Sequence, residues 1–262
     1  HVPCQTCHYC LSGHETVCET LRQTSFEPGG FAEYMLVQDA AVKQGVMIPI
    51  PENAAVSDEH LAMVEPLSCV INGQDYLDIS KGEYVTIVGA GPIGLMHGLL
   101  AKSKGAKVIL AEYSPVRLSK AKEFGFDYYI ASKDTDLVKA VLELTNGEGT
   151  DVGIVACSVN RVAEELLRAM AMKARLSFFA GFPKENSILK LDGNIIHYKE
   201  VSIYGAFASN RPQFEEALRL IVSGKVSMER IVTDVFSLKR ITEAMEKMLD
   251  KEEDALKVII KA

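Results

Sequence analysis

An excess of positive charge is missing from this 262-residue chain: 28 Lys and Arg stand against 35 Asp and Glu, a formal charge of −7 at pH 7. That balance excludes a general nucleic-acid binder, which needs a basic patch to meet phosphates. Also missing is any uninterrupted apolar run of membrane-spanning length, since the greasiest stretches, such as Tyr84 to Val88, are strand-sized. No secretory signal opens the sequence, so a cytoplasmic location with no membrane partner is expected. Disorder, a collagen-like repeat and a disulfide-dense miniprotein are excluded by 48% hydrophobic and 24% charged residues in ordinary proportion. There is no initiator methionine, and the start at His1 reads as a processed or incomplete chain. Cysteine is scarce except at one end, where four of six fall within the first eighteen residues.

Those four, Cys4, Cys7, Cys10 and Cys18, follow C-x2-C-x2-C-x7-C. Four thiolates suit a borderline-soft cation of tetrahedral preference, and short loops let successive ligands turn toward one ion. Disulfides are the alternative, but without signs of secretion clustered cysteines favour metal. The expectation is one structural zinc with no open coordination position. His8, His14 and Glu15 read as exposed loop polars, and Cys69 and Cys157 as small buried hydrophobes.

The run Tyr84-Val85-Thr86-Ile87-Val88 reads as a buried parallel strand leading into Gly89-Ala90-Gly91-Pro92-Ile93-Gly94. Leu95, Met96, Leu99 and Leu100 then recur at helical spacing. A G-x-G-x-x-G motif gains weight from a strand before it and a helix after it. The glycines permit a tight turn and close approach of a pyrophosphate, and the helix start offers free amides. Pro92 suits the first turn, where its missing N–H costs nothing. A second strand, Val108 to Ala111, ends on Glu112, whose carboxylate is placed to accept ribose hydroxyls and to repel a 2′-phosphate; NAD is expected over NADP. Arg117 reads equally as an adenine neighbour or a solvated helix residue.

Further strands are expected near Tyr128–Ile130, Val152–Val155, Leu176–Phe179 and Val201–Tyr204, with helices at Thr135–Leu144 and Arg161–Ala171. Six strands with intervening helices make a doubly wound parallel α/β sheet that binds its nucleotide across the strand C-terminal ends. By topology, Cys157 and Ser158, Gly181 and Phe182, and Ala206 and Phe207 fall at those ends. Tyr129 and Lys133 spell Y-x-x-x-K, which starts too early in the sheet to serve proton transfer and reads as coincidence.

Together the motifs resemble the zinc-dependent medium-chain dehydrogenase/reductase family of the alcohol dehydrogenase superfamily. The resemblance spans the chain and includes Gly29-Gly30-Phe31-Ala32-Glu33-Tyr34 and Glu65-Pro66-Leu67-Ser68-Cys69. Glu65-Pro66-Leu67 and Ile196-His197-Tyr198-Lys199-Glu200 look most like the sorbitol or polyol branch, with threonine dehydrogenases as near neighbours. The resemblance implies a Rossmann domain at 74–207 and a GroES-like, mainly β catalytic domain from 1–73 and 208–262. Helical stripes at Phe214–Val222 and Ile241–Leu249 and a closing strand at Val258–Ile260 fit that return, and 251–254 reads as a solvated turn.

The family implies a second, catalytic zinc held by a cysteine, a histidine of a Gly-His-Glu motif and a glutamate equivalent to Glu65. The first two normally lie upstream of the structural cysteines, where only three residues stand here. Gly13-His14-Glu15 has the letters but lies in the wrong loop. The expectation is therefore a chain lacking the N-terminal part of its catalytic domain, binding structural zinc and NAD but inactive alone. The full-length protein would be a zinc- and NAD-linked alcohol or polyol dehydrogenase forming a homodimer or homotetramer. The alternatives are a threonine dehydrogenase-like enzyme, a non-catalytic dinucleotide-binding redox sensor, and a zinc-lobe interaction module.

Overall fold

The strand Tyr84–Val88 (β1) is buried along its last four residues, as a central parallel strand covered on both faces must be. In the computed structural model, which describes residues 2–24, 26–250 and 255–262, it is the middle of a six-stranded sheet. The charged turn expected at 251–254 lies outside the described residues. The other strands are β2 (Lys107–Glu112), β3 (Tyr128–Ala131), β4 (Thr150–Val155), β5 (Met170–Phe178) and β6 (Ser202–Gly205). All pair in parallel, in the order β3-β2-β1-β4-β5-β6. The chain runs outward from β1 through β2 to β3 and then crosses back to β4 on the other side of β1, so a crevice opens where the order reverses.

Local chemistry sets the helix starts. After α1 (Val64–Asp75), α2 (Pro92–Ser103) and α3 (Pro115–Ala121) each carry proline in the first turn, and Ser114 Oγ accepts the Arg117 N–H at 3.4 Å. In α4 (Leu137–Leu144), Asp136 accepts the Lys139 N–H at 3.0 Å, so the helix begins two residues after the expected Thr135. The next helix, α5 (Asn160–Arg168), is shorter than the expected Arg161–Ala171. Met170 already pairs with Thr150 in β5. The apolar run continues from helix into strand, so periodicity does not mark the change. Leu166 and Leu167 of α5 are buried in the core formed with Ile109, Val141, Met170 and Leu176. The helix α6 (Gly193–Lys199) follows β5.

His97 of α2 is fully buried, its ring 4.5 Å from that of Phe179 in an edge-on contact, with Gln74 Nε2 3.3 Å from its Nδ1. Burial first, and then the charge of Lys104, pushes its pKa down to about 3. The folded state therefore refuses a proton that the unfolded chain accepts near its ordinary 6.5. Stability on this account is whole above that value and falls as pH drops toward about 3, by up to roughly 1.4 kcal/mol per pH unit. Urea unfolding of wild type and His97→Leu from neutral to acid pH should show a shallower fall in the variant.

The chain divides into two units, Val70–Ala206 and the pair His1–Cys69 with Phe207–Ala262. The divisions fall at 69/70 and 206/207, inside α1 and after β6. The second unit, taken by itself, has less regular structure than a mainly β domain. Its described residues hold one two-stranded parallel sheet, β7 (Val232–Ser237) with β8 (Lys257–Lys261), and an isolated bridge from Glu27 to Leu36. Short helices at His8–Leu11, Glu19–Gln23, Asp39–Lys43 and Asp58–Leu61 account for much of the rest. A strand exists only where a partner takes its hydrogen bonds, and among the described residues the bridge in this stretch joins Leu36 to Glu27. The helices α7 (Arg211–Val222), opened by an Asn210–Gln213 capping box, and α8 (Ile241–Leu249) fall on the expected stripes.

Candidate nucleotide and metal sites

The glycine turn sits at the C-terminal end of β1. Gly89 has φ +109°, a value open to glycine, and a Cβ there would lie 3.0 Å from the Ala156 carbonyl oxygen. At Gly94 a Cβ would overlap the Gly89 carbonyl oxygen, so its hydrogen lets α2 press onto the turn. Gly91 caps α2, whose first-turn amides lack partners within the helix.

Glu112 ends β2 and is only 8% exposed. Its Oε2 accepts the Ala90 N–H at 2.7 Å and its Oε1 accepts the Ser114 N–H at 2.7 Å. Beside it opens a cavity of about 940 Å3, walled by Gly89, Gly91, Glu112, Arg117 and Cys157. Sequence reasoning missed Tyr113, Ser132, Thr135, Val159 and Arg161 in the same wall. All follow a strand C-terminal end, the one signal that could have found them. A shallower hollow of about 520 Å3 along α4 contains none of the glycine-turn residues.

Other expected residues lie elsewhere. Pro92, Ile93 and Gly94 form the first turn of α2 behind the wall, and Ser158 is exposed beside it. Gly181 and Phe182 follow β5, but Phe182 packs edge-on against Phe178 at 6.1 Å and joins the core. Ala206 and Phe207 follow β6, with Phe207 exposed. Neither pair lines the cavity. Lys133 does, yet Tyr129 is committed elsewhere: its hydroxyl accepts the Phe126 N–H at 2.7 Å and lies 3.4 Å from the Lys122 carbonyl it donates to.

The four cysteine sulfurs lie within 4.8 Å of one another. A tetrahedral site with metal–sulfur bonds of ~2.3 Å has sulfur–sulfur edges of about 3.8 Å, so the donor set fits. Cys7 and Cys10 are 3.5 Å apart and Cys4 and Cys10 3.9 Å apart, with all four thiols free of disulfides. Hydrogen bonds from the Thr6 hydroxyl and then its amide, joined by the Cys7 amide, draw the Cys4 thiol down to about 5. The Cys4 N–H likewise donates to Cys18 Sγ at 3.4 Å. His8 and His14 are exposed, and Glu15 accepts from Gln5 at 2.8 Å.

Glu65 opens α1 without such company. Cys69, one turn on, donates to its Oε1 at 3.6 Å, and burial followed by the Glu65 charge pushes that thiol up to about 11. Ser68 Oγ donates to the Glu65 carbonyl at 2.6 Å and lies 2.6 Å from Ser209 Oγ. Among the described residues, the four N-terminal cysteines are the one group of His, Cys, Asp or Glu that could hold a metal. Around Glu65 the described residues offer no group of three or more His, Cys, Asp or Glu donors. Cys69 and Cys157, expected as buried hydrophobes, are only half-buried, because each sits beside a polar site, Glu65 for one and the cavity for the other.

A parallel sheet in this order, with a glycine turn and a strand-end carboxylate at its crevice, defines a Rossmann-type domain. Comparison with known proteins narrows the class. A family model for zinc-binding dehydrogenases matches residues 92–223. A sorbitol dehydrogenase of Halalkalibacterium halodurans is 32% identical over 264 residues, 98% of this chain and 73% of that protein. An L-threonine 3-dehydrogenase of Pyrococcus furiosus is also 32% identical, over 95% of this chain and 70% of its own. Among solved structures, an E. coli CFT073 protein described as a short chain alcohol dehydrogenase complexed with NADH has a TM-score of 0.86 and 26% identity, covering 100% of this chain and 74% of that one. The chain belongs to the zinc-binding dehydrogenase family.

Proposed function

We propose that the chain binds NAD in the cavity beside Glu112 as part of an enzyme that transfers hydride between NAD and the secondary alcohol of a polyol, sugar alcohol or related alcohol. The observation that carries this reading is the buried Glu112 carboxylate on the wall of a cavity that starts at a glycine turn. A carboxylate offers about four acceptor sites, and two amides occupy two of them, which leaves capacity for ribose hydroxyls. Its charge repels a 2′-phosphate. Gly89 and Gly91 admit the pyrophosphate, the α2 amides meet its charge, and Arg117 and Arg161 flank the adenosine. Bound NAD supplies the hydride acceptor, and this chain's residues hold and orient it.

Cys4, Cys7, Cys10 and Cys18 are assigned a structural zinc, since four protein ligands leave no open position. No catalytic step is routed through a metal at Glu65. A cytoplasmic location and a homodimer or homotetramer, joined through the β6 edge of the sheet, belong to the same reading.

The sorbitol and threonine dehydrogenase relatives are equally identical to this chain, so the assay must include both substrate types. Zinc-loaded protein from its natural source, offered polyols, vicinal diols and L-threonine, is expected to form NADH from a polyol or diol. Turnover of L-threonine alone would move the substrate to the amino-alcohol class. NADH binding with no turnover of any alcohol would favour a redox-sensing role.

A further inference from the structure

Glu112 is hydrogen-bonded to two loops at once. One carboxylate oxygen takes the amide of Ala90 in the turn after β1, and the other takes the amide of Ser114 in the turn after β2, each at 2.7 Å. The side chain is nearly buried, so little water competes for either bond. The Ser114 hydroxyl in turn caps α3 through the Arg117 N–H, which ties the same bridge to a cavity-lining arginine. The geometry points to Glu112 as a positioning residue for the pyrophosphate cradle: it staples the glycine turn to the β2 turn. Selectivity for NAD and preorganisation of the turn then reside in one carboxylate. Removing it to admit a 2′-phosphate leaves two inward-facing amides without an acceptor and loosens the turn that any dinucleotide needs.

This rests on the cavity being the nucleotide site, and two separate readouts keep the ideas apart. NADH titration of the wild-type protein tests the site. Amide hydrogen exchange on the nucleotide-free protein tests the staple. In the wild type the Ala90 and Ser114 amides should exchange slowly. In Glu112→Ala both should accelerate at least about tenfold while the Ile87 amide of β1 stays slow. Glu112→Gln keeps one oxygen acceptor at the same reach, so it should restore protection at one of the two amides and not at both.

A ligand readout separates positioning from simple stability. In 2′,3′-dideoxy-ADP the pyrophosphate is kept but no ribose hydroxyl is offered to the side chain. Neutralising Glu112 would by charge alone tighten binding of this anion. The staple predicts the opposite sign, at least about threefold weaker binding in Glu112→Gln. Unchanged exchange at both amides in the two variants, or dideoxy-ADP binding that is equal or tighter, would overturn the proposal.

Discussion

Gly94→Ala should bind NAD at least about a hundredfold more weakly than the wild type, a loss of ~2.7 kcal/mol. The added methyl would overlap the Gly89 carbonyl oxygen and lie 3.5 Å from the Ala156 side chain. The overlapped atom is backbone, so no flexible side chain can swing aside. Either α2 withdraws or the turn opens, and each misplaces the amides that meet the pyrophosphate. Overpacking of this kind costs ~1–3 kcal/mol even without ligand, so the melting temperature should fall as well. Gly91→Ala is the control: its φ is −71° and a Cβ there meets nothing within 4 Å. It should leave the melting temperature unchanged and weaken NAD alone. Calorimetric titration and thermal unfolding of the two variants check this, and equal melting losses would contradict it.

The second large effect is expected at the cysteines. Cys18 is completely buried and its sulfur accepts the Cys4 amide. Replacing it with serine removes a soft donor from a closed set whose zinc affinity is worth ~10–16 kcal/mol in comparable small sites. Purified wild type should contain about one zinc held by these four cysteines, Cys18→Ser close to none, and the 4–18 loop should become a protease target. Cys69→Ser, outside the set, should keep its zinc. Metal analysis with limited proteolysis decides this, and full zinc retention by Cys18→Ser would sink the assignment.

Much of this was legible in the residues. β1 is a β-branched run followed at once by glycine, and both ends of that strand lie where the pattern puts them. The cysteine spacing likewise gathers four sulfurs into one cluster. Legibility fails where side chains choose between equivalent loops. Phe182 follows β5 as Cys157 follows β4, and its half-buried ring packs against Phe178 beside the core, outside the cavity wall. Ser132 and Thr135 carry no motif, and only the position of β3 beside β2 brings them to the cavity. The pair of hydrogen bonds that Glu112 accepts from Ala90 and Ser114 was hidden for a similar reason. A sequence reports that a carboxylate ends a strand, and the register of β2 against β1 decides which amides it meets.

The most direct test of the account is a titration of the zinc-loaded chain with NADH and, separately, NADPH, followed by calorimetry. The account predicts one NADH per chain, displaced by ADP-ribose, with NADPH at least about tenfold weaker because Glu112 opposes its 2′-phosphate. Absence of NADH binding, or NADPH binding as tight as NADH, would contradict it.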